Sequence, residues 1–206
     1  MQFPSKLISD AVAELSRLPG IGKKTALRLV LHLLNRPVEE AQALGSAIVR
    51  LREDVQYCVA CFSICESEYC SICSDKSRNH ELICVVESIR ELIAIENTSQ
   101  YRGLYHVLGG VISPVDGIGP EQLKIQELIL RAQNSPVKEV LMAISPTMEG
   151  DTTIFYISRK LEAHDLKITT IARGVSFGGD LEYVDEMTLA RSIATRLPYE
   201  NYLVKK

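Results

Sequence analysis

Residues 57–73 read YCVACFSICESEYCSIC, and within them Cys58, Cys61, Cys70 and Cys73 stand as CxxC-x8-CxxC. Each CxxC pair presents two thiolates to one side of a tight turn, and two such pairs complete a tetrahedral set of four cysteines. The pattern predicts one structural Zn2+ per chain, with no coordination position left open for water. The first residues do not read as a secretory signal, so a disulfide framework is not expected. A redox motif accounts for one CxxC rather than two. Cys65, between the knuckles, is expected to be a free thiol near the site, and a metal-linked redox sensor built on it is a rival reading. Cys84 lies in the apolar run LICVV and is expected to be a small buried hydrophobe. This metal-organised segment, residues 55–78, separates two stretches of different character.

The stretch on the amino-terminal side is basic. The whole chain of 206 residues carries a net charge of −3. Residues 1–36, however, hold six cations (Lys6, Arg17, Lys23, Lys24, Arg28, Arg36) against two anions (Asp10, Glu14), a local +4 that leaves −7 elsewhere. Any contact with a polyanion is therefore expected to be local to this end. Residues 5–17 have apolar side chains at helical spacing, with Ser5 or Ser9 as the cap. Leu18-Pro19-Gly20-Ile21-Gly22 then leads to a second helix over about Lys23–Asn35. The two glycines permit a tight bend whose N–H groups open outward at a helix start, a cradle for a phosphate oxygen. This arrangement, with Ala26 inside the second helix, resembles the helix-hairpin-helix family, which grips the nucleic-acid backbone without reading bases. Gly20, Gly22, Lys23, Lys24 and Arg28 are the candidate DNA-binding residues. Lys24, Arg28, His32 and Asn35 form one polar stripe, while Ala26, Leu27, Leu29, Val30, Leu31, Leu33 and Leu34 fill an arc of roughly 200° against the ~100° of an ordinary surface helix. An apolar arc that wide predicts self-association through this region.

The stretch on the other side alternates strands and helices. After a polar helix at 38–54 and the knuckle, strands are expected at Leu82–Val86, Leu104–Leu108, Lys138–Ile144 and Lys167–Ala172. Helices are expected at Ile89–Glu96, Pro120–Gln133, Thr152–His164 and Glu186–Arg196. The pattern predicts a mainly parallel sheet covered on both faces. Glu87 follows one strand, and Glu149-Gly150-Asp151 follows another. A glutamate and an acidic-x-acidic pair past strand ends resemble the Toprim fold of topoisomerases, primases and some nucleases. That resemblance implies carboxylates able to hold Mg2+, although glutamate replaces the usual aspartate at the first position of the pair. Asp151 fits equally a role at a helix N-terminus. Two glycine-rich loops, 113–120 and 173–180, lack the Gly-Lys-Ser/Thr of a P-loop and are expected to form turns. The chain has no apolar run long enough to span a bilayer, no tryptophan and only 6% aromatics, so neither a membrane role nor an aromatic stacking platform is expected.

Taken in order, LPGIGKKTALRL, the cysteine knuckle, ICVVES, SPVDGIGPEQL, SPTMEGDTT and ARGVSFGGDLEYVDEMTL resemble the RecR family of bacterial recombination mediators over nearly the full chain. The resemblance implies a cytoplasmic, nucleoid-associated DNA-repair protein without catalytic activity or small-molecule substrate. It further implies a ring-like oligomer, a dimer or tetramer, that clamps DNA. Such a protein works with RecO and RecF to load RecA on gapped DNA coated by single-strand-binding protein. Lys24 and Arg28 match the family's basic positions, whereas Lys23 stands where many members have proline. The expected organisation is α/β and multi-domain. It comprises a helix-hairpin-helix region (1–54), the four-cysteine zinc module (55–78), a Toprim-type domain (79–176) and a C-terminal loop, helix and tail (177–206) for oligomerisation. Glu149 and Asp116, with Glu87 and Asp151, are candidates for docking a partner or holding Mg2+. The alternative of a different class is a Mg-dependent Toprim nuclease or primase.

Overall fold

A computed structural model describes residues 5–176 and 178–198, and the chain forms two compact units, residues 1–55 and 56–206. Expectations for the tail beyond residue 198 lie outside the described residues.

The first unit holds three helices. α1 (Lys6–Leu15) begins at Ser5, whose hydroxyl accepts the Leu7 N–H at 3.2 Å. α2 (Lys23–Leu34) packs antiparallel-hairpin fashion on α1 around buried Val12, Ala26 and Val30, with Ile8, Leu15, Ile21 and Leu27 at the rim. α3 (Val38–Glu53) has Glu39 and Glu40 in its first turn and Arg50 and Arg52 in its last, which complements the helix dipole. No residue of α3 is buried.

The second unit opens with the cysteine module: β1 (Gln56–Tyr57) pairs antiparallel with β2 (Ile64–Cys65), and the short α4 (Ser71–Ser74) follows. Four strands come next, β3 (Asn79–Val86), β4 (Gly103–Val107), β5 (Glu139–Ala143) and β6 (Lys167–Thr170), in the order β4-β3-β5-β6 with every pairing parallel. β3 is buried on both faces. Ile83 and Val85 enter one core with α6 (Ile125–Gln133) and α7 (Met148–Leu161), and Cys84 and Val86 enter the other beneath Leu92 of α5 (Ile89–Asn97). A parallel sheet covered on both faces is what the continuous apolar run of β3 demands. α8 (Glu186–Ala194) closes the described chain and buries no residue.

Two helix starts differ from expectation, one through a tertiary contact and one through a local cap. The helix expected at 120–133 is broken: a 3-10 turn spans Pro120–Gln122, Leu123 is extended and buried in the core, and the Lys124 N–H donates to the Leu108 carbonyl. The helix expected to start at Thr152 starts at Met148, because the Thr147 hydroxyl accepts the Gly150 N–H at 3.0 Å and caps it. Gly150 is required there, since a Cβ would collide with the Ser145 carbonyl oxygen. Glu149 and Asp151 therefore sit in the first turn of α7 rather than in a loop before it.

Candidate nucleic-acid interface and metal centre

The bend between α1 and α2 is built from turn hydrogen bonds and one left-handed glycine. The Ser16 hydroxyl donates to the Val12 carbonyl at 2.6 Å, and the Ile21 N–H donates to the Leu18 carbonyl at 3.1 Å. Gly20 has φ +80°, a conformation costly for any residue with a Cβ. Gly22 occupies the N-cap of α2 in an extended conformation and supplies no capping side chain. The first N–H groups of an α-helix have no intrahelical partner, so those of α2 are left to an external acceptor. Lys23, Lys24 and Arg28 are all exposed. Arg17 and Arg36 pair with Glu14 and Glu40, whereas the three candidate cations form no ion pair among the described residues. The polar stripe on α2 is shorter than expected, because Asn35 Nδ2 turns back to the Leu31 carbonyl.

The four cysteines converge. The Sγ atoms of Cys58, Cys61, Cys70 and Cys73 all lie within 4.8 Å of one another, and the first three are buried. Two turns shape the set: Phe62 N–H donates to the Cys58 carbonyl and Ser74 N–H to the Cys70 carbonyl, while Cys73 N–H points at Cys70 Sγ at 3.4 Å. Cys61 and Cys70 Sγ stand 3.5 Å apart. The contact between them draws the Cys70 thiol down and pushes Cys61 up, because two adjacent thiolates would repel. A cation with soft-ligand preference relieves that conflict and fits a closed set of four sulfurs. Cys65 lies outside the set, its thiol directed to the Ser67 carbonyl at 2.8 Å. Cys84 is fully buried, and desolvation raises its thiol to about 12, as suits an inert core residue.

The acidic candidates do not converge. Among the described residues, the cysteines are the one group of three or more His, Cys, Asp or Glu side chains whose ligand atoms cluster this closely. Glu87 follows β3 and accepts the Ser145 N–H at 2.5 Å, which ties the end of β3 to the loop after β5. Asp116 accepts the Ser113 hydroxyl at 2.6 Å within its own turn. Asp151 pairs with Arg173 at 2.6 Å, and this guanidinium holds its carboxyl below the usual range. Glu149 is half-buried on the first turn of α7. Sequence reading gave Arg173 only a turn; its partnership with Asp151 depends on β6 lying beside β5. Of these groups, only Asp151 and Arg173 line the cleft of about 950 Å³ at the carboxyl ends of β5 and β6, together with Met142–Met148 and Arg191 among others.

Family comparisons agree with this layout. A profile described as "RecR, helix-hairpin-helix" matches residues 8–52, one described as "Toprim domain" matches 81–172, and one described as "RecR, C-terminal" matches 174–196. The chain is 56% identical over 201 residues to a protein called recombination protein RecR from Cytophaga hutchinsonii, covering 97% of this chain and 98% of that one. The chain belongs to the RecR family. Relatives of the same name from Parabacteroides distasonis and Flavobacterium johnsoniae are 55% and 54% identical, covering 96% and 97% of this chain and 95% and 97% of theirs. Both family profiles specific to RecR fall on helical ends of the chain, α1–α3 and α8. None of the described helices is long and apolar enough to cross a membrane.

Proposed function

We propose that this RecR-family chain is a DNA-binding recombination mediator that grips the sugar-phosphate backbone without regard to sequence and carries out no chemistry on it. The observation that carries the reading is the uncapped start of α2, with Gly20 in the left-handed region and Lys23, Lys24 and Arg28 exposed and unpaired beside it. Gly20 and Gly22 admit a phosphate oxygen to the backbone N–H groups, and the three cations neutralise it. The cysteine set holds a structural Zn2+, the metal that best suits four closed thiolates.

Self-association completes the account. α3 exposes Leu44, Ile48 and Leu51 along one stripe, and Leu31 and Leu34 of α2 are exposed as well. Apolar faces of that extent on neighbouring helices favour coverage by further copies. The C-terminal segment from residue 177 contributes a second contact, and the result is a ring-like dimer or tetramer around DNA. Several copies turn weak phosphate contacts into avidity through effective concentration. The chain acts in the cytoplasm with RecO and RecF at gapped, protein-coated DNA to help load RecA. RecO docks on the acidic side of the sheet unit, at Glu149 and Asp116, with Glu87 and Asp151 holding the loops.

The test is DNA binding by Lys24→Ala with Arg28→Ala. Loss of affinity on any sequence, with a smaller salt slope, is expected, and unchanged binding removes the hairpin from the interface. Charge reversal at Glu149 and Asp116 is expected to weaken RecO binding. Cleavage or synthesis on DNA with Mg2+ that vanishes in Glu87→Gln would instead make the chain an enzyme.

A further inference from the structure

β4 is an edge strand, yet its edge is not open. Alternate residues of an edge strand turn their N–H and C=O away from the neighbouring strand, where another chain can pair with them. Here three of those groups are taken. The Gly103 carbonyl accepts from Arg78 at 3.2 Å, the Tyr105 carbonyl accepts from Arg131 at 2.7 Å, and the Val107 N–H donates to the Cys61 carbonyl at 2.8 Å.

Two of the three partners belong to the cysteine module or to the link that leaves it. Cys61 is itself one of the four converging thiols. Its neighbour Phe62 is held at φ +60°, an unusual conformation for a bulky residue. That backbone turn sets the Phe62 ring edge-on to His106 of β4, with centroids 5.4 Å apart, and beneath Lys124 Nζ at 5.1 Å. Ile72, between Cys70 and Cys73, packs against both cores of the sheet and against the cysteines. Arg78, at the end of the module, is almost wholly buried and also pairs with Glu96 of α5. One end of β4 is thus held by Cys61 and Phe62, and the other by Arg78.

The held strand reaches the acidic end of the sheet. Immediately after β4, the Leu108 N–H donates to the Val86 carbonyl and the Gly109 N–H to the Glu87 carbonyl, both at 2.9 Å. Glu87 in turn fixes the Ser145 loop.

We infer that the metal-bound cysteine module is a clasp for the β4 edge, so that metal occupancy sets the order of β4 and of the Glu87 end of the sheet. The inference rests on metal binding by the four cysteines. With metal, the Cys61 carbonyl and Phe62 are fixed against β4. Without it, the turn carrying them is no longer tied to Cys70 and Cys73, and the β4 edge opens while β5, in the sheet interior, remains paired on both sides.

Hydrogen–deuterium exchange on the full chain tests this, with zinc content measured on the same samples. Removing the metal with a chelator is expected to accelerate exchange in residues 103–109 about tenfold or more beyond any acceleration in residues 139–143, as a local opening requires. Unchanged exchange at 103–109, or equal acceleration at 139–143, would overturn the clasp. The Phe62→Ala variant keeps all four ligands. It is expected to retain its zinc and still exchange faster at 103–109, by about threefold or more; retained zinc with unchanged exchange also overturns the inference. A chain that neither carries zinc nor takes it up overturns the metal reading itself, a result distinct from zinc bound with β4 indifferent to it.

Discussion

The hairpin unit and the sheet unit solve burial differently. One core of the sheet unit gathers sixteen buried residues from β3, β4, β5, α6, α7 and their loops, and a second core lies on the opposite face. The hairpin unit buries Val12, Ala26 and Val30, and its longest helix buries nothing. A set of three buried residues is far too small to offset the conformational entropy of fifty ordered ones. The sheet unit packs a core on each face of its sheet, whereas the hairpin unit leaves the apolar stripe of α3 exposed. That contrast places most of the buried apolar side chains in the sheet unit.

The contrast can be broken most forcefully at the cysteines. Structural zinc sites contribute on the order of 10 kcal/mol of apparent binding free energy to the folds that hold them. Cys70→Ser is therefore expected to lower the thermal unfolding temperature by many degrees, as followed by circular dichroism. An unaltered transition would mean that the sheet unit stands without its metal.

Core and surface substitutions sharpen the comparison next. Leu128→Ala empties a fully buried position against the sheet and should cost about 2–5 kcal/mol in denaturant unfolding. Ile48→Ser on exposed α3 should change the stability of a single chain by less than about 0.5 kcal/mol, yet lower the mass measured by sedimentation. Equal losses of stability from the two would erase the distinction drawn here.

Acid titration addresses the sheet unit alone. His106 is fully buried, its Nε2 2.7 Å from the Lys124 carbonyl and its Nδ1 without a partner among the described residues. Burial lowers its pKa from 6.5 to about 4. Below pH 6.5 the unfolded chain takes up a proton that the folded chain refuses, so stability is full above 6.5 and falls as pH drops toward 4. The loss from this one group is about 3 kcal/mol. His106→Phe should flatten that part of the stability profile, and an identical slope in both proteins would show that His106 titrates freely. Smallest of all, Ser88→Ala removes the capping box of α5, in which Glu91 returns to the Ser88 N–H, and should cost about 1 kcal/mol.

Much of this was legible in the sequence because the deciding signals are local. CxxC spacing picked out the four cysteines that converge, the Leu-Pro-Gly-Ile-Gly bend placed the hairpin, and the run Ile83-Cys84-Val85-Val86 placed the central strand. Most of the misses involve partners distant in sequence, and one a local cap. Leu123 breaks the helix expected at 120–133 because the core claims its side chain and the Leu108 carbonyl claims the next N–H. The start of α7 moved to Met148 because Thr147 caps it, a signal that the acidic residues behind it masked. Asp151 read as a Mg2+ or docking candidate or as a helix N-terminal carboxylate, and the fold adds Arg173, twenty-two residues later, as its ion-pair partner. Phe62 and Arg78 had no periodicity to mark them, and only the fold brings them to β4.

The most direct measurement is the salt dependence of DNA affinity for the natural chain and for the Lys24→Ala, Arg28→Ala double variant. A plot of log affinity against log salt should be steep for the natural chain. It should lose about 0.7–0.9 in slope for each phosphate contact removed, summed over the copies that engage the DNA. The account predicts a shallower slope and weaker binding on every sequence tried. Identical slopes and affinities for the two proteins would contradict it.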